Sequence, residues 1–322
     1  MLKKVRWGVL STAKIGTKLV IPAMQHGEYS AVVAISSRNK EKAKREASKL
    51  GIPSNYGSYE ELLADDEIDA IYNPLPNHLH VPLTIKALQA GKHVLCEKPI
   101  ALNTEEAIEL LEKASKYPHL KVMEAFMYRF HPQWDIVRSW IKEGIIGEIR
   151  TIQSVFTYFN NDPDNIRNKP GMGGGGLMDI GCYCISASRY IFGEEPIDVI
   201  GDVEIDPDFG TDRLASGILK FPSGSASFVC STQASPEQHL KVFGTEGIIE
   251  MDIPFNPEEN VATVRLKKEG RIEKETDIQA NHYTLQGEAF SKAILNDTPV
   301  PTPLKDAVAN MKVIDALLIA EN

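Results

Sequence analysis

The sequence predicts the α/β fold class, with a doubly wound parallel sheet in the N-terminal half and a second α/β domain after it. Over residues 1–125, short β-branched segments alternate with amphipathic helical segments, which is typical of βαβ units. Beyond residue 145, strand-like segments follow one another with short turns, which indicates an antiparallel or mixed sheet. The length of 322 residues also favours two domains over a single core.

The N-terminal elements are predicted in strict alternation. Strands are predicted at 5–10, 31–35, 68–72, 92–96 and 120–125. Helices are predicted at 14–26, 39–50, 58–64, 79–90 and 104–116. Gly51 and Gly91 follow two of these helices, where a left-handed residue often ends a helix. Ser58 with Glu61 three residues later is a capping box, and Asn103 or Thr104 caps the last of these helices.

The C-terminal half is predicted to be rich in strands. They are expected at 149–159, 197–205, 214–221, 225–231, 239–243, 248–253 and 261–267. The turns are expected at 222–224 and 268–270, and the helices at 181–190, 283–295 and 304–320. We therefore divide the chain into domains 1–125 and 126–322, and we expect the last helix to pack on the first domain.

The composition excludes several classes of protein. Hydrophobic residues make up 43% and charged residues 25%, the balance of a folded, water-soluble chain. A net charge of −9 disfavours nucleic-acid binding, because phosphate backbones require a basic surface. The N-terminus has neither an export signal nor a membrane-spanning segment. The four cysteines form no CxxC pair, so we predict reduced thiols, a cytoplasmic location and no metal site.

A tight turn between the first strand and the first helix is the predicted phosphate-binding site. In place of the usual G-x-G-x-x-G, the chain has Ser11-x-Ala13-x-x-Gly16. Small side chains still let backbone N–H groups approach a pyrophosphate at a helix N-terminus. The cofactor contacts predicted here are Ser11, Thr12, Ala13, Lys14 and Ile15. The alternative is an ordinary βα turn without a ligand, which the downstream alternation disfavours.

The residues after the second strand predict the kind of dinucleotide. An NAD site usually has Asp or Glu here, on the ribose 2′-hydroxyl. This chain has Ser37 and Arg38, and a guanidinium forms charge-assisted bonds to a phosphate. We therefore predict NADP as the cofactor, with NAD or dual use as the alternative.

Four longer motifs carry a resemblance to a known family. They begin at Asn77, Ala90, Glu124 and Gly173 and read NHLH, AGKHVLCEKP, EAFMYRFHPQ and GGGGLMDIGCY. In this order the chain resembles the Gfo/Idh/MocA family of oxidoreductases. The Ser11–Ala13 turn and Tyr183 are most similar to the branch with dimeric dihydrodiol dehydrogenase, NADP-dependent xylose dehydrogenase and glucose–fructose oxidoreductase.

The resemblance implies a fold, a reaction and partners. Residues 1–125 would form a Rossmann domain, and residues 126–322 a substrate-binding and dimerisation domain with an open, mostly antiparallel sheet. The reaction would be hydride transfer between nicotinamide and a carbon bearing a hydroxyl, on a small polyhydroxy substrate such as a sugar, polyol or cyclic diol. A homodimer or higher homo-oligomer is expected. The further cofactor contacts would be Leu75, Asn77, His80, Glu97 and Lys98.

The family pattern assigns proton handling to Lys98, Asp179 and Tyr183. A free tyrosine has a pKa of about 10, roughly three units too high for a base at neutral pH. A nearby ammonium such as Lys98 stabilises the phenolate and lowers that pKa. We therefore expect Tyr183 as the principal acid/base, Lys98 as its electrostatic partner or a direct donor, and Asp179 as the residue that orients them. The i, i+4 spacing places Asp179 and Tyr183 on one side of a helix.

The sequence leaves several assignments of residues and function open. Arg129, Arg167 and Tyr283 are predicted to line the substrate pocket. The glycine run 173–176 is either a flexible loop or a close backbone approach to nicotinamide or substrate. The rival functions are a reductase of an anhydro sugar or dicarbonyl compound, and a non-catalytic NADP-binding sensor.

Overall fold

The computed structural model describes residues 3–257 and 261–319. The chain forms two compact units, the first from Met1–Met127 and Asn281–Val308, the second from Tyr128–Ala280 and Ala309–Asn322. The change of unit at 127/128 lies two residues from the boundary that the sequence predicts. The assignment of a cofactor domain and a substrate domain concerns function and stays a prediction. In the described part of the chain, no helix is both long and apolar enough to cross a membrane.

The first unit is built on a six-stranded parallel sheet in the order β3-β2-β1-β4-β5-β6. Its strands are β1 (Val5–Val9), β2 (Ser30–Ser36), β3 (Ser54–Tyr56), β4 (Ala70–Asn73), β5 (His93–Cys96) and β6 (Val122–Glu124). Its first helices are α1 (Ile21–Gln25), α2 (Lys40–Leu50), α3 (Tyr59–Leu63), α4 (His80–Gln89) and α5 (Thr104–Ala114). The strand order reverses between β1 and β4, and ligands of such sheets bind at the carboxyl ends of the strands there.

The cap residues act as the sequence predicts. Asn103 accepts the N–H of Glu106, and Ser58 accepts that of Glu61. Asn39, which the sequence placed within the helix without a capping role, accepts the N–H of Lys42. Gly51 ends α2 in the left-handed conformation, with φ of 65°. A π-helical turn, Gly16–Val20, precedes α1, so the predicted first helix is present but locally widened.

The second unit is built on an eight-stranded sheet in the order β14-β13-β12-β11-β7-β10-β9-β8. Its elements are α6 (Gln133–Lys142), β7 (Ile149–Phe159), α7 (Cys182–Phe192), β8 (Asp198–Ile205), β9 (Asp212–Lys220), β10 (Ser225–Ser231), β11 (Gln233–Gly244), β12 (Ile248–Met251), β13 (Ala262–Lys268) and β14 (Arg271–Ile278). Every pair is antiparallel except β7 with β10. Tyr183 on α7 packs against Phe156 of β7, so α7 covers one face of this sheet.

Two further helices follow, α8 (His282–Leu295) and α9 (Leu304–Ile319). The sequence placed all of α8 in the second domain, whereas the structure places it in the first unit. Phe290 packs on Trp7 with ring centroids 5.6 Å apart, and the Trp7 indole N–H donates to the Ser291 hydroxyl at 3.2 Å. Which unit a helix packs on depends on the match between its apolar face and its partner in three dimensions. The order of elements along the sequence therefore did not show that α8 belongs to the first unit.

Three elements were not predicted from the sequence, and each omission has a physical reason. Strand β3 has only three residues, and α6 begins after a proline in a segment rich in aromatic residues. Strand β14 is an edge strand whose side chains are mostly exposed and charged, so it lacks the alternation that marks a half-buried strand.

Phe290→Ala is predicted to lower the free energy of unfolding of the first unit by about 3–5 kcal/mol, because it leaves a cavity beside Trp7. Hydrogen exchange at the amides of β1 at increasing urea concentration reports on this unit. The matched control is Phe159→Ala, an aromatic side chain that is 61% exposed at the end of β7. A loss below about 1 kcal/mol at Phe290, equal to the control, would contradict the placement of α8.

Candidate functional site

The turn after β1 has the features of a phosphate-binding turn. Ser11 adopts a left-handed φ of 77°, and its hydroxyl accepts the Ala13 N–H at 3.2 Å. The helical bonds begin where the Thr17 N–H meets the Ala13 carbonyl at 3.0 Å. The amides of residues 14–16 therefore lie in the first turn, where N–H groups have no acceptor within the helix. Such a donor set fits the pyrophosphate of a dinucleotide.

The end of β2 presents one buried hydroxyl and one exposed cation. Ser37 is buried, and its hydroxyl accepts the Asn39 N–H at 3.2 Å. Arg38 is exposed, and its guanidinium lies near the phenol of Tyr59. Burial raises the pKa of Tyr59, and the Arg38 charge opposes that rise. Arg38 is thus held at the edge where a ribose 2′ substituent would lie.

His80 is a fully buried link between two loops at the carboxyl edge of the sheet. Its Nδ1 lies 2.7 Å from the Pro99 carbonyl oxygen and its Nε2 lies 2.7 Å from the Leu75 carbonyl oxygen. Burial lowers the pKa of His80 to about 4, although the two carbonyls favour the protonated ring. Because both ring nitrogens face backbone carbonyls, the geometry supports a bracing position for His80 instead of the direct cofactor contact that the sequence predicted.

Glu97 and Lys98 lie in the segment after β5, and a side chain of the neighbouring strand holds Glu97. The Tyr72 hydroxyl donates to Glu97 Oε1 at 2.6 Å. Burial, and then Glu97, raise the pKa of Tyr72 well above its usual range. Glu124 is buried and accepts the Ile100 N–H at 2.7 Å, which fixes the chain just beyond Lys98. The Lys98–Pro99 peptide is cis.

The remaining predicted residues of this unit lie nearby in the fold. Leu75 is buried, and Asn77 begins the 3₁₀ turn Asn77–Leu79 before α4. Tyr283 is buried at the start of α8, and its charge would raise the pKa of Tyr72. Tyr283 therefore belongs to the first unit, and its predicted role in lining the substrate pocket stays a prediction.

In the second unit, Asp179 lies at the centre of a polar cluster. It is in the π-helical turn Leu177–Gly181 that leads into α7. Its Oδ2 accepts from the Tyr158 hydroxyl at 2.6 Å and pairs with Arg167 Nε at 2.7 Å. Asp179 raises the pKa of the Arg167 guanidinium, and burial with Asp179 raises that of Tyr158. The Asp179 carboxylate is thus held in a fixed orientation by two partners.

Tyr183 lies one turn further along, among aromatic rings. Its ring centroid is 5.8 Å from that of Tyr128 and 5.7 Å from those of Phe156 and Phe255. Its side chain is buried, and its charge would raise the pKa of Arg167. The structure thus groups Asp179, Arg167 and Tyr183, as the sequence predicts for Asp179 and Tyr183. Sequence reasoning missed Tyr158, which appeared only as one position of a predicted strand.

Arg129 makes different contacts. Its Nη2 donates to the Ser186 hydroxyl at 2.7 Å, its Nε donates to the Tyr128 hydroxyl at 3.2 Å, and its guanidinium lies 4.8 Å from the Tyr190 ring centroid. These contacts fasten α7 to the turn that contains Arg129. The predicted substrate contact of Arg129 stays a prediction.

The glycine run 173–176 is explained by close packing against other parts of the chain. A Cβ added at Gly174 would lie 2.4 Å from the Arg167 carbonyl oxygen, and one at Gly175 would lie 1.9 Å from Asp212 Oδ1. Gly175 also has a φ of 120°, which side chains rarely adopt. The run is therefore an ordered passage around a backbone carbonyl and a buried carboxylate, which corrects the flexible-loop alternative.

Among residues 3–257 and 261–319, no three His, Cys, Asp or Glu side chains converge as metal ligands would. A groove of about 460 Å³, lined by residues that include Ile200 and Ile218, lies at one end of β8 and β9. Ile200 and Ile218 are paired across β8 and β9. Cys230, which faces Gly181 of the turn before α7, pairs with Ala215, so Ile218, three positions further along β9, points to the opposite face of the sheet.

Two family models match the chain. The model described as an oxidoreductase family with an NAD-binding Rossmann fold matches residues 5–126, and the one described as the GFO/IDH/MocA C-terminal domain matches residues 134–250. The chain belongs to the Gfo/Idh/MocA family of oxidoreductases. This confirms the resemblance, the fold class and the assignment as an NAD(P)-dependent oxidoreductase.

Individual Gfo/Idh/MocA proteins match along nearly the full chain. The uncharacterized oxidoreductase ORF334 of Rhizobium meliloti is 43% identical over 320 residues, covering 97% of this chain and 96% of its own. D-xylose 1-dehydrogenase (NADP(+)) 2 of Haloferax volcanii is 38% identical over 314 residues, covering 97% and 95%. The crystal structure of KijD10, a 3-ketoreductase from Actinomadura kijaniata in complex with NADP and TDP-benzene, has a TM-score of 0.91 at 28% identity, covering 98% of each chain.

His80→Ala is predicted to destabilise the first unit by about 3–5 kcal/mol, because it leaves a cavity and removes the hydrogen-bond donor between two buried carbonyls. Urea unfolding measures the loss. The control is His26→Ala, an exposed histidine at the end of α1. Equal stability of the two variants would contradict the bracing position of His80.

Proposed function

We propose that this protein is an NADP-preferring oxidoreductase that acts on a CH–OH carbon of a sugar, polyol or cyclic diol. Tyr183 moves the hydroxyl proton, Lys98 is its electrostatic partner, and Asp179 orients the reacting groups. The observation that carries the proposal is the Asp179 carboxylate, held by Arg167 and Tyr158 one helical turn before Tyr183. A turn that only caps a helix does not require an oriented carboxylate beside a buried phenol.

The acid/base chemistry follows from the charges in each unit. The nicotinamide supplies the hydride acceptor or donor when it is bound. In the oxidising direction the substrate hydroxyl loses a proton to Tyr183, and a neighbouring cation makes the phenol a stronger acid. Lys98 carries that charge, and Arg167 adds positive charge beside Asp179. In the reducing direction the same phenol returns the proton to the carbonyl oxygen.

The preference for NADP is supported by Arg38. Its guanidinium is exposed beside Tyr59 at the end of β2, and the chain has no Asp or Glu at residues 36–38, where a carboxylate would repel a 2′-phosphate. The Haloferax volcanii relative carries NADP(+) in its name, and KijD10 was crystallised with NADP.

Partners and location are also proposed. We infer a homodimer formed through the open face of the second sheet, where Ile200 and Ile218 are 61% and 51% exposed side by side. A cytoplasmic location is supported by the four cysteines, all of which are buried thiols without a disulfide.

A substrate panel tests the reaction class. Sugars, polyols, cyclic diols and their keto derivatives are offered with NADP⁺, NAD⁺ or the reduced forms, and nicotinamide absorbance is followed. We expect turnover on polyhydroxy compounds and a higher kcat/KM with the phosphorylated cofactor. Tight NADPH binding without turnover on any of them would contradict the proposal and favour a sensor.

Tyr183→Phe is predicted to lower kcat by about 10²–10⁴-fold, the usual contribution of a general acid or base. NADPH binding, followed by fluorescence, is expected to stay within twofold. The matched control is Tyr190→Phe, on the same helix, whose hydroxyl accepts an exposed hydrogen bond from Arg138 at 2.8 Å. Near-normal turnover in Tyr183→Phe would transfer the proton role to Lys98.

Arg38→Ala is predicted to weaken NADP⁺ binding by roughly 10–100-fold, because a hydrogen bond to a charged group contributes about 1.5–3 kcal/mol. NAD⁺ binding should change less than threefold, so the ratio of the two dissociation constants is the measurement. Arg45→Ala, an exposed arginine on α2, is the control. Equal losses for both cofactors would argue against a 2′-phosphate contact.

A further inference from the structure

Asp212, at the start of β9, inserts a buried carboxylate into the glycine run before Asp179 and Tyr183. Its Oδ2 accepts the Leu177 N–H at 2.6 Å, and the nearby Gly176 amide also favours the charged form of the carboxyl group. A Cβ at Gly175 would lie 1.9 Å from Oδ1, and one at Gly176 would lie 3.2 Å from Oδ2. The glycines therefore leave the space that this carboxylate fills.

The carboxylate lies where a negative charge favours the helical segment that follows. Leu177 opens the turn that continues into α7, and the amides at a helix N-terminus carry a partial positive charge. Charge-assisted N–H bonds of this kind are shorter and stronger than neutral ones. On the sheet side, a Cβ at Gly181 would lie 2.9 Å from Cys230 Sγ, so the segment lies directly on β10. These contacts fix both the start of the segment and its height above the sheet.

The charges around Asp212 are unfavourable, so the backbone bonds are what hold it. Asp179 on the same segment is a second carboxylate, and the nearby Cys230 on β10 is a buried thiol. Asp212 is 4% exposed, and burial, opposed by its backbone hydrogen bonds, raises its pKa to about 6. At neutral pH the group is therefore an anion that the amides of Gly176 and Leu177 stabilise.

We propose that Asp212 is a positioning residue, whose carboxylate anchors the first turn of the segment 177–192 and thereby sets the orientation of Asp179 and Tyr183. This inference rests on the function proposed above. The sheet fixes Asp212, Asp212 fixes the amides of Gly176 and Leu177, and the helical backbone carries that constraint to the two side chains within two turns. Lys98 and the dinucleotide turn are outside this chain of contacts.

The test uses Asp212→Asn in the full-length protein, with Asp208→Asn as the control at an exposed carboxylate of the adjoining turn. The amide keeps the volume of Asp212 and can still accept the Leu177 N–H through its oxygen, but it removes the negative charge. We expect kcat per NADPH-binding site to fall about 10–100-fold while the NADPH dissociation constant stays within twofold. Normalising to NADPH-binding sites removes any loss that comes from unfolded protein.

A second measurement does not depend on catalysis. Hydrogen exchange at the amides of 176–183 is expected to become at least tenfold faster in Asp212→Asn and unchanged in Asp208→Asn. Unchanged exchange would overturn the proposal. Faster exchange with full turnover would also overturn it, and it would place the failure in the roles proposed for Asp179 and Tyr183.

A third measurement uses pH. Since the folded pKa of Asp212 lies above its unfolded value, ionisation of this group should reduce stability as pH rises from about 4 to about 6. The wild type should show this loss relative to Asp212→Asn, with NADPH-free unfolding midpoints compared at each pH. Parallel profiles would show that folding does not change the pKa of Asp212, which would contradict a carboxylate buried in the glycine run and overturn the proposal.

Should Asp212→Asn fail to fold, Gly176→Ala serves instead. Gly176 has an ordinary helical conformation, with φ of −68°, so the added methyl group acts only by displacing Asp212 Oδ2. A smaller loss of kcat in the same direction supports the proposal, and no loss overturns it. The control is Gly171→Ala, where a Cβ would meet nothing within 4 Å.

Discussion

Side by side at the carboxyl edge of the parallel sheet, β4 and β5 end in loops whose buried polar groups must find partners locally. His80 meets this constraint by lying between the carbonyls of Leu75 and Pro99, and Tyr72 meets it by donating to Glu97. The His80–Pro99 and Tyr72–Glu97 bonds join β4 and the segment after it to the segment after β5, whereas His80–Leu75 lies within the segment after β4. The place of Lys98 relative to the sheet therefore depends on side chains that do not take part in the chemistry, and a buried unsatisfied carbonyl is the cost of removing them.

In the second unit, the polar groups that need local partners are carboxylates. Asp179 and Asp212 both lie around the turn that begins α7, and two buried anions near one another repel. Asp179 is paired with Arg167 and Tyr158, whereas Asp212 is held by backbone N–H groups at the start of the helical segment. Different partners let the two carboxylates coexist, one facing the polar cluster and one facing the backbone. The same segment, together with the aromatic rings around it, fixes the position of the Tyr183 ring.

The proposed chemistry is thus divided between the units. The first contributes the dinucleotide turn, Arg38 and Lys98, and the second contributes the oriented carboxylate and the phenol. Membership of the Gfo/Idh/MocA family gives the reaction class, hydride transfer with a nicotinamide cofactor. The identity of the substrate depends on which polar groups converge on its hydroxyls, and the relatives include both a xylose dehydrogenase and a 3-ketoreductase. In the second unit, the Asp179 carboxylate is held by two partners, Arg167 and Tyr158.

The sequence by itself determined the alternation of strands and helices and the caps at Ser58 and Asn103, because local propensity is written in neighbouring residues. Its family motifs also pointed to Lys98, Asp179 and Tyr183, whose roles stay a prediction. Only the tertiary structure decided that α8 packs on Trp7, that His80 braces two loops, and that the glycine run gives way to a carboxylate 35 residues along the chain from Leu177. Each of these pairs residues that are distant in sequence. Burial and the need to satisfy polar groups act on distances in space, and a one-dimensional pattern carries no record of which distant residue meets that need.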